Sequence, residues 1–135
     1  NIVVKIPCTA EGIKAIKALS ARNIPTNCTL IFTAGQAVLA AKAGARYVSP
    51  FVGRLDDISE DGVALVAQIV RIFTWYNYPT QVLAASIRHT RHIIDCIEVG
   101  AHVVTCPLKP IMGLLDHPLT EKGLAKFIED ARKMI

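Results

Sequence analysis

Short runs of apolar, mostly β-branched residues alternate along the chain with stretches whose apolar positions recur every three or four residues, the signature of strands alternating with helices. The first run, Val3-Val4-Lys5-Ile6-Pro7, is apolar on both faces apart from one lysine and predicts a short buried strand of a parallel sheet. Thr9, followed by Glu11 and Gly12, opens a helix whose inner face is Ile13, Ile16 and Leu19 and which ends between Ser20 and Arg22. Asn23-Ile24-Pro25 breaks it, and a second strand is predicted over 28–32, with Asn27 and Thr29 as polar residues at its start. A helix over 36–42, stopped by Gly44, leads to a third strand over 46–49 and a loop over 50–54.

Asp56, Asp57, Ser59, Glu60 and Asp61 then crowd the start of a long amphipathic helix carrying Val63, Val66, Ile69, Val70 and Phe73. The helix dipole favours acids there, and they are predicted as its caps. A fourth strand over 81–85 ends in Ser86-Ile87-Arg88. A helix over 89–99 is stopped by Gly100, and a fifth strand runs over 102–106. A short helix around 111–115 and a final helix after His117-Pro118 complete the pattern.

Five alternations with short connections predict parallel βαβ units, either in a flavodoxin-like open sheet or in part of a (β/α)8 TIM barrel. The 135 residues form a single domain by length, and 52% hydrophobic content supplies a sizeable core. No run of like charges or low-complexity segment points to disorder. The net charge of +4 admits anionic partners. Aromatics are not interleaved with the basic residues, so phosphorylated metabolites fit better than nucleic acid. No apolar stretch reaches the length of a membrane span and no signal-like segment opens the chain, so a cytoplasmic protein is expected, with no membrane partner. Cys8, Cys28, Cys96 and Cys106 lack CxxC spacing and are expected to be free thiols. Opening directly on a buried-type strand at Asn1 reads as a start in mid-fold.

In parallel α/β folds function collects at the C-terminal ends of strands. The polar groups there are Lys5 from the first strand, Asn27 and Thr29 from the second, Ser49 and Arg54 after the third, Ser86 and Arg88 after the fourth, and Thr105 in the fifth. A lysine pointing into an apolar interior has its charged form disfavoured, which makes it a Schiff-base nucleophile; the competing reading is a strand-end lysine that snorkels to solvent. One serine with two arginines can hold a phosphate, since guanidinium matches phosphate oxygens bidentately; singly, each arginine reads as a surface ion-pairing group. His89 and His92 lie three apart, but no third ligand accompanies them. Trp75, Tyr76 and Tyr78 read as a helix-end cluster. No GxGxxG, P-loop or HExxH motif is present.

Val3-Val4-Lys5-Ile6-Pro7-Cys8-Thr9-Ala10-Glu11-Gly12-Ile13 with Leu19 resembles the Schiff-base lysine signature of the transaldolase family, in particular its short microbial members and the related fructose-6-phosphate aldolases. Ile24-Pro25-Thr26-Asn27-Cys28-Thr29-Leu30, Tyr47-Val48-Ser49-Pro50-Phe51-Val52-Gly53-Arg54 and Leu83-Ala84-Ala85-Ser86-Ile87-Arg88 resemble three further blocks, in order. The resemblance implies that 1–135 is the C-terminal portion of a (β/α)8 barrel, its last five βα units plus a C-terminal helix. It also implies a class I transaldolase that moves a dihydroxyacetone unit from fructose 6-phosphate or sedoheptulose 7-phosphate to an aldose phosphate.

Lys5 then forms the imine, Asn27 and Thr29 hold the dihydroxyacetone moiety and its neighbouring water, Ser49 lines the same cleft, and Arg54, Ser86 and Arg88 hold the phosphate. Phe51, where the aldolases usually carry Tyr, favours transaldolase together with Asn27. No metal or organic cofactor is implied, sugar phosphates are the expected small-molecule partners, and a homo-oligomer is the expected assembly. The acidic and amide residues that the family carries in its three preceding units, which serve proton transfer and donor binding, have no counterpart in this sequence. The isolated chain is therefore expected to lack turnover, and a fragment retaining only a sugar-phosphate site stands as the non-catalytic alternative.

Overall fold

A computed structural model describes Asn1–Met134 as an alternating series: β1 (Val4–Pro7), α1 (Ala10–Ser20), β2 (Thr26–Ile31), α2 (Ala34–Lys42), β3 (Tyr47–Pro50), α3 (Val52–Asp56), α4 (Gly62–Trp75), β4 (Gln81–Ala84), α5 (Thr90–Glu98), β5 (Val103–Val104), α6 (Leu108–Met112) and α7 (Pro118–Lys133). Most helices begin where a side chain can take an orphan N–H. Thr9 Oγ1 accepts Gly12 N–H at 3.0 Å and Asp61 Oδ1 accepts Ala64 N–H at 2.8 Å. At α2, Thr33 and Gln36 form a reciprocal capping box, and Gln36 Oε1 also takes Phe32 N–H at 2.8 Å. That box starts α2 two residues before its apolar periodicity does.

The five strands are all parallel and lie in the order β1-β2-β3-β4-β5. A flavodoxin-like sheet reverses its strand order at a switch point, and this one does not. The unreversed order is compatible with consecutive units of a (β/α)8 barrel. Right-handed crossovers in that order put α1, α2, α4 and α5 on one face, where each packs against the next. Between them and the sheet lies the core, in which Ile16, Cys28, Val48, Val66, Ile69, Val82, Ile93 and Cys96 are buried.

Among the described residues, helices cover only that face of the sheet. The strand 3–7, expected to be apolar and buried on both faces, is therefore half open. Val3, Val4 and Lys5 are exposed, while Ile6 packs against α1. The predicted strand over 102–106 shortens to Val103–Val104, because it pairs on one side only. The loop predicted over 50–54 contains the start of α3, whose apolar Val52 and Leu55 are buried. No helix among the described residues is long and apolar enough to cross a membrane.

Candidate active site

Side-chain alternation decides which strand residues share the open face. Ile6, Cys28 and Val48 are lateral neighbours on the helix side, so their sequence neighbours turn the other way. Lys5 and Asn27 are directly paired across β1 and β2, strands that run roughly 4.8 Å apart. Ser49, two residues beyond Tyr47 on β3, reaches back across the sheet, and its hydroxyl donates to Asn27 Oδ1 at 2.7 Å. Ser49 is fully buried, so this bond holds the Asn27 carboxamide through its oxygen and leaves the NH2 as its donor side. Sequence reasoning placed Ser49 in the cleft lining; in the structure its hydroxyl is spent on Asn27.

Thr29, also on this face by alternation, is buried, and its Oγ1 has no hydrogen-bond partner among the described residues. Such an atom has unspent capacity for a water or a ligand oxygen. Immediately after it the strand bulges. Leu30 sits at φ +60°, and the β2–β3 register slips between Cys28 and Ile31. Bulges re-aim side chains and occur beside functional sites, but Leu30 offers no sequence signal for one.

Lys5 is exposed, as in the reading of a strand-end lysine reaching solvent and unlike the reading of a lysine enclosed in an apolar interior. Its strand lies at the sheet edge, and nothing in the described chain covers the face it points from.

The other candidate residues gather where β3 and β4 end. Val52 N–H donates to Ala85 O at 2.9 Å and Gly53 N–H to Ser86 O at 3.0 Å, which binds the start of α3 to the β4 exit. The approach is so close that a Cβ on Gly53 would meet Ser86 O at 2.3 Å and Arg88 Cγ and Nε at 2.6 Å. Ser86 itself occupies the left-handed region at φ +60°, a strained position of the kind that clusters at binding sites. Arg54, Ser86 and Arg88 thus lie around one junction. The Arg54 guanidinium sits 5.2 Å from the centre of the Phe51 ring, which also meets Phe32 edge-on at 5.8 Å.

Arg88 donates from Nη2 to Asp57 Oδ2 at 2.7 Å, an exposed pair that engages one of its five N–H donors. This corrects the reading of Asp57 as a helix cap. Asp61 is the N-cap of α4 and Asp56 Oδ1 takes Gly62 N–H at 3.2 Å, whereas Asp57 turns to Arg88. Asp56 Oδ2 also accepts from His92 Nε2 at 2.8 Å. No local pattern announces the histidine's part, because the partners lie 36 residues apart.

A cleft of about 290 Å³ opens beside Arg88, lined also by His89, Thr90 and Lys109. Another of similar volume, lined by Asn23, Arg46 and Thr80, lies at the opposite end of the strands, where parallel folds do not place catalysis. All four cysteines are free thiols. Burial pushes the Cys28 thiol up to about 12, with Cys8 beside it adding to the rise, so it is inert as a nucleophile.

The profile of the Transaldolase/Fructose-6-phosphate aldolase family matches residues 1–135. Proteins named "Probable transaldolase" are similar over 134 residues, or 99% of this chain: one from Bacteroides fragilis at 69% identity, one from Bacteroides thetaiotaomicron at 68% and one from Cytophaga hutchinsonii at 67%. The chain spans 62% of the length of each of these relatives.

Proposed function

The chain belongs to the transaldolase/fructose-6-phosphate aldolase family, and from that premise we propose that the protein transfers a dihydroxyacetone unit from a ketose phosphate to an aldose phosphate through an imine on Lys5. The observation that carries the reading is the pairing of Lys5 with an Asn27 whose amide is fixed by Ser49, on the open sheet face that leads to the Arg54–Ser86–Arg88 junction. Lys5 Nζ adds to the ketose carbonyl and water leaves. The protonated imine draws the electron pair of the bond between its α- and β-carbons as that bond breaks and the β-hydroxyl gives up its proton, an aldehyde departs, and the retained three-carbon enamine attacks the carbonyl of the acceptor. Hydrolysis of the second imine returns the free amine.

Asn27 NH2 is placed to donate to a hydroxyl of the bound fragment, and the unspent Thr29 Oγ1 to hold a water near it. The phosphate is taken by Arg54, Ser86 and Arg88, for which guanidinium geometry is suited. Fructose 6-phosphate or sedoheptulose 7-phosphate is the donor proposed. The five βα units form part of a (β/α)8 barrel, and the setting is a cytoplasmic homo-oligomer. The exposed stripe of Leu119, Leu124, Phe127 and Ile128 on α7 supports self-association.

In the full-length protein, borohydride added with fructose 6-phosphate should attach the donor fragment at Lys5, read by peptide mass spectrometry. Attachment at Lys14, Lys17 or Lys42 instead would sink the assignment. Donor alone separates the two activities of the family: an aldolase releases free glyceraldehyde 3-phosphate, whereas a transaldolase waits for erythrose 4-phosphate. The Phe51 ring, which lies under the Arg54 guanidinium and meets Phe32 edge-on, offers no hydroxyl to orient a protonating water, and this favours transfer.

A further inference from the structure

The two arginines of the junction stand on different βα loops, and a phosphate site needs both loops held in one register. Their main chains meet at Gly53 and Ser86, and beyond that contact the Arg88 side chain adds only an exposed pair with Asp57. A buried imidazole adds a further tie. His92, on the first turn of α5 and 7% exposed, accepts Arg88 N–H on Nδ1 at 3.3 Å and meets Asp56 Oδ2 with Nε2 at 2.8 Å. Because Nδ1 accepts from a main-chain N–H, the ring hydrogen sits on Nε2 and is donated to the carboxylate. Asp56 is two residues from Arg54 on α3, and it is itself anchored by Gly62 N–H at the start of α4. From the other side, His89 Nδ1 accepts His92 N–H at 3.3 Å, and the two rings lie 3.7 Å apart.

We propose that His92 is a positioning residue of the phosphate subsite, tying the Arg88 loop to the helix that carries Arg54 through its two ring nitrogens. The inference rests on the reading of Arg54, Ser86 and Arg88 as the phosphate contacts. Nδ1 serves the residue just before the α5 N-cap, and Nε2 reaches across to Asp56 on α3. Here each one engages a group near a different phosphate-side arginine. The same occupancy removes His92 as a metal ligand.

The test uses the full-length protein with fructose 6-phosphate as donor and dihydroxyacetone, which has no phosphate, as the control trapped on Lys5 by borohydride. His92→Phe should raise KM for fructose 6-phosphate by about ten-fold or more while kcat stays within about two-fold, and should leave dihydroxyacetone trapping unchanged. His92→Asn, whose amide oxygen replaces only Nδ1 as acceptor for Arg88 N–H, and His92→Gln, whose amide nitrogen replaces only Nε2 as donor to Asp56, each break the tie at one end and should raise KM for fructose 6-phosphate by about three-fold or more. Should His92→Phe fail to fold, His92→Asn and His92→Gln decide the matter, since each removes one end of the tie and both must raise KM for fructose 6-phosphate with dihydroxyacetone trapping unchanged. Equal loss toward both donors, or unchanged KM in every His92 variant, overturns the proposal. If Arg54→Ala and Arg88→Ala also leave KM unchanged, the phosphate reading falls with it; if they raise KM while His92→Phe does not, the positioning role alone is wrong.

Discussion

Replacing Gly53 by alanine should damage stability and phosphate affinity together, and the size of the effect follows from the junction it occupies. The added methyl carbon would stand 2.3 Å from Ser86 O and 2.6 Å from Arg88 Cγ and Nε. Arg88 is exposed and its long side chain can move aside, at the expense of its pairing with Asp57. Ser86 O cannot move as freely. It accepts Gly53 N–H at 3.0 Å, and Ser86 is already held at φ +60°.

A non-bonded carbon–oxygen separation of about 3 Å requires the two strand exits to part by more than half an ångström, enough to break that hydrogen bond. Overpacking of this kind costs about 1–3 kcal/mol, and loss of the bond adds about 1 kcal/mol. A total near 2–4 kcal/mol should lower the midpoint of thermal unfolding by several degrees. Because the methyl also pushes Arg88 away from Arg54, KM for a phosphorylated donor should rise while trapping by dihydroxyacetone persists. Urea unfolding and steady-state kinetics on the full-length protein read both effects. An alanine variant with wild-type stability and wild-type KM would show that the close approach of α3 to the β4 exit is misplaced.

Two further outcomes are expected. Ser49→Ala removes the donor that fixes Asn27, so imine formation measured in a single turnover should slow by about five- to ten-fold for a hydrogen bond worth about 1 kcal/mol, and an unchanged rate would mean that Asn27 needs no support. Burial, reinforced by the stacked His89, holds the His92 imidazole below its ordinary value, with Asp56 and Asp95 pulling the other way. The neutral ring is therefore the folded form. Its stabilisation is present above the unfolded value of about 6.5 and is lost as pH falls from there toward the lower folded value. Urea midpoints of wild type and His92→Asn should diverge above that window and converge below it, and parallel curves throughout would remove His92 from the pH response.

The alternation of strand and helix was legible in the sequence because it depends on near neighbours. Ile13, Ile16 and Leu19 share a helix face by spacing alone, Thr9 caps by local geometry, and Val-rich runs pair wherever a parallel sheet is available. The candidate residues were legible too, since Lys5, Asn27 and Thr29 are polar members of apolar strand runs, Arg54, Ser86 and Arg88 lie beyond strand ends, and the blocks around them are distinctive. Three things depended on tertiary structure. Which face of β1 lies open was set by the helices' covering one side of the sheet, and it left Lys5 exposed where its run of β-branched neighbours suggested burial. The bulge at Leu30 and the left-handed Ser86 arise from how neighbouring strands meet, to which a leucine and a serine give no local clue. The partnerships of Ser49 with Asn27, Asp57 with Arg88 and Asp56 with His92 join residues 22, 31 and 36 positions apart. A short-range pattern assigns such acids to the nearest helix start. Folding brings a guanidinium and an imidazole within reach, and a charge-assisted hydrogen bond to either competes with an orphan N–H for the same carboxylate.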